Sequence, residues 1–336
     1  MEKFMKRAVD LARKGLGFCS PNPCVGAVLV KNGVVVGEGW HKKAGTDHAE
    51  IVALKKAGVN SKGASLYVTL EPCCHFGKTG PCCEAIVNAG VRKVYVGMKD
   101  PNEKVNGKGL RFLKKNGIEL EILSKGLSLT KKIRALNQPF IKHAQTGMPY
   151  MIMKAGMSLD GKIATSRGES KWITSESARK DARMERSICD SVMVGAGTVV
   201  ADDPELASFG KYSSKKILRI LFDPSGRVSK IKKIFRDDNF VVLGGNIKSA
   251  LKKMGKMGVQ SVFVEGGSGV HGLIYDLGLV DKLIFYIAPK IIGGEKALSV
   301  VGGKGSKKLG EIKELENFEF EKIGPDLKVS GYINFY

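Results

Sequence analysis

The sequence predicts an α/β protein of two domains, residues 1–146 and 147–336. Two observations carry that expectation. Short β-branched runs alternate with helical patterns along nearly the whole chain. The alternation restarts after Gln145-Thr146-Gly147-Met148-Pro149, a turn-rich break. At 336 residues the chain can bury two hydrophobic cores.

Each element has its own signal. Phe4, Ala8, Leu11 and Ala12 share one face of a helix over residues 4–14. Val25–Val30 and Val34–Gly37 flank Lys31-Asn32-Gly33, a hairpin pattern. A helix from His48 to Lys56 stops near Gly58, a strand covers 65–70, and a helix over 82–88 ends at Gly90. Strand 93–98, helix 110–115 and strand 118–123 complete a three-layer first domain, and 127–144 reads as one joining helix. In the second half, strands are expected at 150–155, 191–195, 217–222, 240–243, 261–265 and 283–288, with helices at 177–187, 247–257 and 270–277. Residues 318–322 and 327–335 read as a closing hairpin.

Composition narrows the function. No run approaches the roughly 20 apolar residues of a membrane span, and the N-terminus enters a helical pattern without an apolar secretory core. A cytoplasmic enzyme with no membrane partner is expected. Cys19, Cys24, Cys73, Cys74, Cys82 and Cys83 crowd the first 90 residues, and only Cys189 lies beyond. That lopsided set suggests metal chemistry and buried thiols rather than disulfides. The net charge is +22. Residues 1–146 contribute 25 basic and 11 acidic side chains, residues 147–336 contribute 30 and 22. These are mostly scattered lysines without an aromatic-rich basic stripe, so anionic small molecules are the expected partners and nucleic acid is not.

The densest chemistry lies in the first half. His48-Ala49-Glu50 precedes Pro72-Cys73 by about twenty residues, and Cys82 follows. H-x-E followed by P-C and a second cysteine is the signature of zinc-dependent nucleobase deaminases. One imidazole and two thiolates hold zinc with a fourth position left for water, whose pKa the metal lowers. His48, Cys73 and Cys82 are therefore the expected ligands. Glu50, too close along the chain to His48 to bind as well, is left to move protons. The predicted helix starts at His48 and Cys82 favour thiolate at Cys82. The competing possibility is a closed structural site with Cys74 or Cys83 as fourth ligand.

Beyond that signature, Thr69-Leu70-Glu71-Pro72-Cys73-Cys74-His75-Phe76-Gly77-Lys78-Thr79-Gly80-Pro81-Cys82 resembles the first domain of the bifunctional riboflavin-biosynthesis deaminase/reductases. Asn22-Pro23-Cys24-Val25-Gly26-Ala27, Gly39-Trp40-His41 and Lys99-Asp100-Pro101-Asn102 are similar to further blocks of that family, and Cys74 stands where it has serine. The resemblance implies a cytidine-deaminase-like fold. It implies that Asn22, His41, Asp100 and Asn102 line the base and ribose pocket and that the insert adds His75, Lys78 and Thr79 to the substrate site, where Lys78 suits a phosphate. Read without it, Asn22 and Asp100 are ordinary turn formers.

The second half alone reads as an α/β domain with glycine-rich turns. Val194-Gly195-Ala196-Gly197-Thr198 lacks the dinucleotide fingerprint. Lys154 to Ala164, Ser170 to Thr174, Gly195 to Pro204 and Ala288 to Gly294 nevertheless resemble the riboflavin-type reductases, which share a dihydrofolate-reductase-like α/β fold. The resemblance implies NADPH contacts at Gly156, Trp172, Thr198 and Asp202, with Gly267, Ser268 and Gly269 cradling phosphates. It implies substrate contacts at Ser170, Arg186, Leu206 and Glu265, with Lys154 and Glu265 as the catalytic pair. Two positions depart from the family pattern: Phe209 stands where an arginine is expected and Arg183 where a histidine is, so Lys211 or Arg183 is the expected substitute phosphate contact. Over the whole chain the implied activity is zinc-dependent deamination of a phosphorylated diaminopyrimidinone, then NADPH-dependent reduction of its ribosyl group, by a homo-oligomer. Two competing readings are a nucleic-acid base deaminase carrying an RNA-binding module and a deaminase joined to a reductase-like scaffold without activity.

Overall fold

Asn32 and Gly33 adopt φ of 51° and 77°, the left-handed pair that a two-residue hairpin turn requires. The strands they join open the first sheet of the computed structural model, which describes residues 1–74, 80–102, 105–124 and 126–336. The chain divides into two units, Met1–Gly147 with Tyr336, and Met148–Phe335.

The first unit runs α1 (Glu2–Arg13), β1 (Gly26–Lys31), β2 (Val34–Trp40), α2 (Ala49–Ala57), β3 (Ser65–Val68), α3 (Cys82–Asn88), β4 (Lys93–Val96), α4 (Lys108–Lys115), β5 (Glu119–Ile122), α5 (Ser128–Leu136) and α6 (Gln138–Thr146). The sheet order is β2-β1-β3-β4-β5. The hairpin and the β1–β3 pair are antiparallel, while β3, β4 and β5 run parallel. Register explains the three layers. Ala27 pairs with Gly39 and Leu29 with Gly37, and a Cβ on either of those glycines would strike α2 at Ala49 or Ala53. Gly26 points to the opposite face, where a Cβ would lie 2.0 Å from Ala8 O of α1. Val28, Leu29, Leu66, Val68, Val94 and Val96 fill the core between them.

The joining helix expected over 127–144 is two helices. Asn137 breaks it: its Oδ1 accepts from Cys24 N–H at 2.7 Å and its amide donates to Cys24 O at 3.1 Å. Pro139, without an N–H to give, then fits the first turn of α6.

The second unit runs β6 (Tyr150–Ser158), β7 (Lys162–Ala164), α7 (Glu176–Ile188), β8 (Ser191–Gly195), α8 (Ala196–Asp202), β9 (Leu218–Phe222), β10 (Phe240–Leu243), α9 (Ile247–Lys256), β11 (Ser261–Val264), α10 (Ser268–Asp276), β12 (Lys282–Ala288), β13 (Leu298–Ser299), β14 (Glu316–Ile323) and β15 (Asp326–Tyr332). Eight strands form one sheet, β10-β9-β8-β11-β6-β12-β15-β14. It is parallel from β10 to β12 and antiparallel across β15 and the edge strand β14. The expected strands and closing hairpin are present. Helix α8 and the β7–β13 pair, which sequence patterning did not indicate, are also there.

Gly26→Ala forces Ala8 and α1 away from β1. A loss of about 1–3 kcal/mol follows from such overpacking, read as a lower melting temperature in calorimetry; an unchanged melt would show that α1 is not held at this distance.

Candidate active sites

The first site gathers at the carboxyl ends of β3 and β4. His48 is the N-cap residue of α2, with φ −69° and ψ 161°, rather than a member of its first turn. Cys82 is the first residue of α3, and Cys73 lies on the segment after β3. His48 Nδ1 is 3.2 Å from Cys82 Sγ and 3.5 Å from Cys73 Sγ, and the three donor atoms all lie within 4.8 Å of one another. Zinc–ligand bonds of about 2.0–2.3 Å at tetrahedral angles separate donors by roughly 3.5–3.8 Å, so the triad fits the ion. Among the described residues neither Cys74 nor Cys83 joins the group. Cys83 turns its buried thiol to Pro72 O and Gly109 O instead. Three protein donors leave a coordination position open, as catalytic zinc requires and structural zinc does not.

The start of α3 serves Cys73 directly: the Cys82 backbone N–H donates to Cys73 Sγ at 3.4 Å. Hydrogen bonding from Cys82, helped by His48, holds the Cys73 thiol at about 4 against the effect of burial. The Cys82 thiol is pushed up by its bond to Cys73 and by burial. Both thiols give up their protons when they bind a metal. Glu50 is buried on α2, and burial, with Cys73 adding to it, raises its carboxyl to about 7.

Asn22 and His41 come together as expected, with Nδ2 and Nε2 3.0 Å apart. His41 Nδ1 faces Asp47 O at 3.2 Å. A carbonyl only accepts, so Nδ1 carries the proton and Nε2 accepts from the Asn22 amide. Burial lowers the His41 pKa, which favours that neutral ring. Asp100 forms the turn that its residue type predicts, its Oδ1 accepting from Asn102 N–H at 2.8 Å. Asp100 and Asn102 also line a cavity of about 810 Å³ with Lys99, Thr130 and Arg134. The metal donors, Glu50, Asn22 and His41 do not line it. His75, Lys78 and Thr79 lie outside the described residues.

Sequence reasoning missed Glu71. Its buried carboxylate accepts four backbone N–H groups, from Asp100 and Gly107 on Oε2 at 3.2 and 3.0 Å and from Gly109 and Leu110 on Oε1 at 3.1 and 3.4 Å. It stands two residues before Cys73 and ties the metal segment to the Asp100 turn and to the start of α4. An acid directly before Pro72-Cys73 was the available signal.

In the second unit Glu265 follows β11. Its carboxylate takes Arg186 Nη1 at 3.0 Å and Lys154 Nζ at 3.8 Å. Burial opposes its charge, but Lys154 and Arg186 outweigh burial and hold the carboxyl below its usual range. Arg186 also donates to Ala207 O at 2.6 Å. Leu206 is buried, with φ +50°, so its side chain packs into the core and only its backbone can face a ligand. The left-handed Asp203 and Leu206 bend the segment that brings Ala207 O to Arg186.

Trp172 is 64% exposed, which excludes a core role. The Arg179 guanidinium lies 4.3 Å over its ring, and Asp202 meets the neighbouring Lys171 at 3.4 Å. Gly156 faces Thr174, where a Cβ would come within 3.1 Å. Gly267 caps α10, and a Cβ there would meet nothing nearer than Thr198 Oγ1 at 3.9 Å, while one on Gly269 would meet nothing within 4 Å. An open helix start beside a hydroxyl suits a pyrophosphate, so these residues fit a dinucleotide. The Gly302-Gly303 segment, which sequence reasoning passed over, packs so tightly on α10 that a Cβ at Gly272 would lie 2.3 Å from Gly302 C. Ser170 is half-buried between β7 and α7.

The cytidine and deoxycytidylate deaminase zinc-binding region matches residues 1–98, and the RibD C-terminal domain matches residues 149–329. The riboflavin biosynthesis protein RibD of Bacillus amyloliquefaciens is 40% identical over 98% of this chain and 95% of its own. The chain belongs to the RibD family. The Escherichia coli RibD protein is 36% identical, with 97% of each chain covered. Acinetobacter baumannii RibD superposes with a TM-score of 0.90 at 35% identity over 98% of both chains. The Thermotoga maritima diaminohydroxyphosphoribosylaminopyrimidine deaminase/5-amino-6-(5-phosphoribosylamino)uracil reductase reaches 0.87, also at 35% identity and 98% of both.

As a RibD protein the chain is a bifunctional deaminase and reductase of riboflavin biosynthesis, with a cytidine-deaminase-like and a dihydrofolate-reductase-like part. Zinc serves the first part and NADPH the second. The C-terminal match is to a RibD reductase domain rather than to an RNA-binding module. Among the described residues no helix is long and apolar enough to cross a membrane.

Cys82→Ser loses zinc, whereas Cys83→Ser keeps it; plasma emission spectrometry of purified protein reads both, and zinc retained by the first variant would displace Cys82 from the ligand set. Glu71→Gln leaves one acceptor oxygen for four donors. Amide exchange at Gly107, Gly109 and Leu110 should quicken while the α1 amides stay protected. Equal protection in both variants would show that Glu71 does not hold this segment.

Proposed function

We propose that residues 1–146 hydrolyse the ring amine of 2,5-diamino-6-ribosylamino-4(3H)-pyrimidinone 5′-phosphate and that residues 147–336 reduce the deaminated product to 5-amino-6-(5-phosphoribitylamino)uracil. The observation that carries this is the open His48, Cys73, Cys82 triad beside a buried acid.

When bound by these three residues, zinc supplies a Lewis acid that makes water a nucleophile near neutral pH. Glu50 does the proton work. It takes a proton from the attacking water and passes protons to the ring nitrogen and the leaving amine, so that water enters and ammonia departs. Buried on α2 beside the metal donors, its carboxyl is placed to receive and return those protons. Asn22 and the neutral His41, locked by their mutual hydrogen bond, orient the base, with Asp100 and Asn102 on its ribose side. His75, Lys78 and Thr79 take the phosphate.

In the second step the ribose opens to an imine at its first carbon, and a hydride and a proton convert it to the ribityl chain. The chain's task is to hold that carbon against the nicotinamide. Gly156, Trp172, Thr198 and Asp202 position the cofactor, with Gly267, Ser268 and Gly269 at its phosphates. Lys154 and Glu265 flank the reacting carbon, while Ser170, Arg186 and the Leu206 backbone hold the sugar phosphate. The enzyme works in the cytoplasm as a homo-oligomer and takes no nucleic acid.

Incubation with the phosphorylated diaminopyrimidinone should release ammonia without NADPH and consume NADPH only after deamination. Ammonia release with no cofactor oxidation would reduce the second domain to a scaffold. Glu50→Ala should retain zinc, lose deamination by about 10²–10⁴-fold and still oxidise NADPH when given the deaminated intermediate. Loss of both activities together would refute the division of labour.

A further inference from the structure

We propose that Arg183 recognises the 5′-phosphate of the reductase substrate, with Phe209 as the platform that aims its guanidinium. This rests on the reading that residues 147–336 reduce a phosphorylated sugar.

Arg179, Arg183 and Arg186 follow one another on α7 at spacings of four and three, which puts them on one face. The acids of the same helix turn elsewhere. Asp181 and Glu185 both meet Lys328 Nζ, at 2.8 and 2.7 Å, and Glu176 meets Lys180 at 2.8 Å. Two of the three arginines are committed. Arg186 is bound to Glu265 and Ala207 O, and Arg179 donates to Thr174 O at 2.5 Å while covering Trp172. Arg183 pairs with no carboxylate among the described residues. Its guanidinium lies 5.6 Å over the Phe209 ring.

That ring is placed deliberately by the backbone. The Phe209 N–H donates to Ser187 Oγ at 2.8 Å, and the same hydroxyl donates to Arg183 O at 2.6 Å. Ser187 is fully buried, so the loop and the helix are pinned to each other one turn from Arg183. An aromatic face attracts and steadies a guanidinium while leaving its N–H edge free. That edge matches the paired oxygens of a phosphate. The surrounding charge agrees: Arg183 adds to the field of Lys154 and Arg186 at Glu265 but forms no close ion pair of its own among the described residues, so its N–H edge is open to an incoming anion. Lys211, the other candidate, sits instead over the ring of its neighbour Tyr212, 5.0 Å away.

The test is steady-state NADPH oxidation by the full-length enzyme, using the deaminated 5′-phosphate and the matching riboside without phosphate. Arg183→Gln should raise KM for the phosphorylated substrate about tenfold or more, leave kcat within about twofold, and leave kcat/KM for the riboside unchanged. Arg183→Lys should recover part of the loss, because charge returns without the fork. Phe209→Leu should raise the same KM less, and Lys211→Gln should not move it. An unchanged KM in Arg183→Gln overturns the proposal. So does an equal loss on both substrates, which marks a merely structural role, or a KM effect that appears in Lys211→Gln instead. If the unmodified enzyme oxidises no NADPH with the phosphorylated substrate, the reductase reading itself falls and takes this assignment with it. Turnover by that enzyme with an indifferent Arg183→Gln overturns the assignment alone.

Discussion

Parallel strands deliver their carboxyl ends to one edge of a sheet, and each unit of this chain keeps its chemistry on such an edge. Helix starts collect there, and with them backbone N–H groups that have no partner within their helix. In the first unit Cys73 follows β3, Asp100 follows β4, and the starts of α2 and α3 supply His48 and Cys82. In the second, Glu265 follows β11, Ala196 starts α8 directly after β8, and the open turn of Gly267 begins α10. The fold thus provides positive ends and fixed corners, and the side chains decide what is bound there.

Such edges are made of loops, and loops need anchors. Glu71 is the anchor in the first unit. One buried carboxylate gathers four N–H donors from residues 100 to 110, so the metal segment and the Asp100 turn cannot shift independently. Hydrogen bonds to an ionised acceptor are among the stronger neutral-to-charged contacts. Asn137 acts similarly at a greater distance along the chain, breaking a helix in order to hold Cys24.

Much of this was legible before any coordinates. The hairpin at Asn32-Gly33 announces itself because few residues tolerate left-handed φ, and the metal triad because thiolates, imidazole and a nearby free acid form a small chemical vocabulary. The break at Asn137 was not legible, since its cause lies in a partner 113 positions away. Glu71 stood within the deaminase motif, yet its role depends on four amides from another loop. That the start of α3 serves Cys73 required the direction of one N–H. The burial of the Leu206 side chain and the left-handed turn of its backbone were not legible either, since both depend on packing against α8 and β9.

Glu50 and Glu265 show how environment moves one residue type in opposite directions. Burial lifts the Glu50 carboxyl to about 7, with the Cys73 sulfur adding to it. Glu265 is half-buried, and Lys154 and Arg186 flank it and hold its carboxyl below the usual range. A carboxyl near neutrality can carry protons in both directions. One held low is a fixed anion at the same pH and serves to orient the cations around it. The contrast comes from burial at Glu50 and from the cations that flank Glu265.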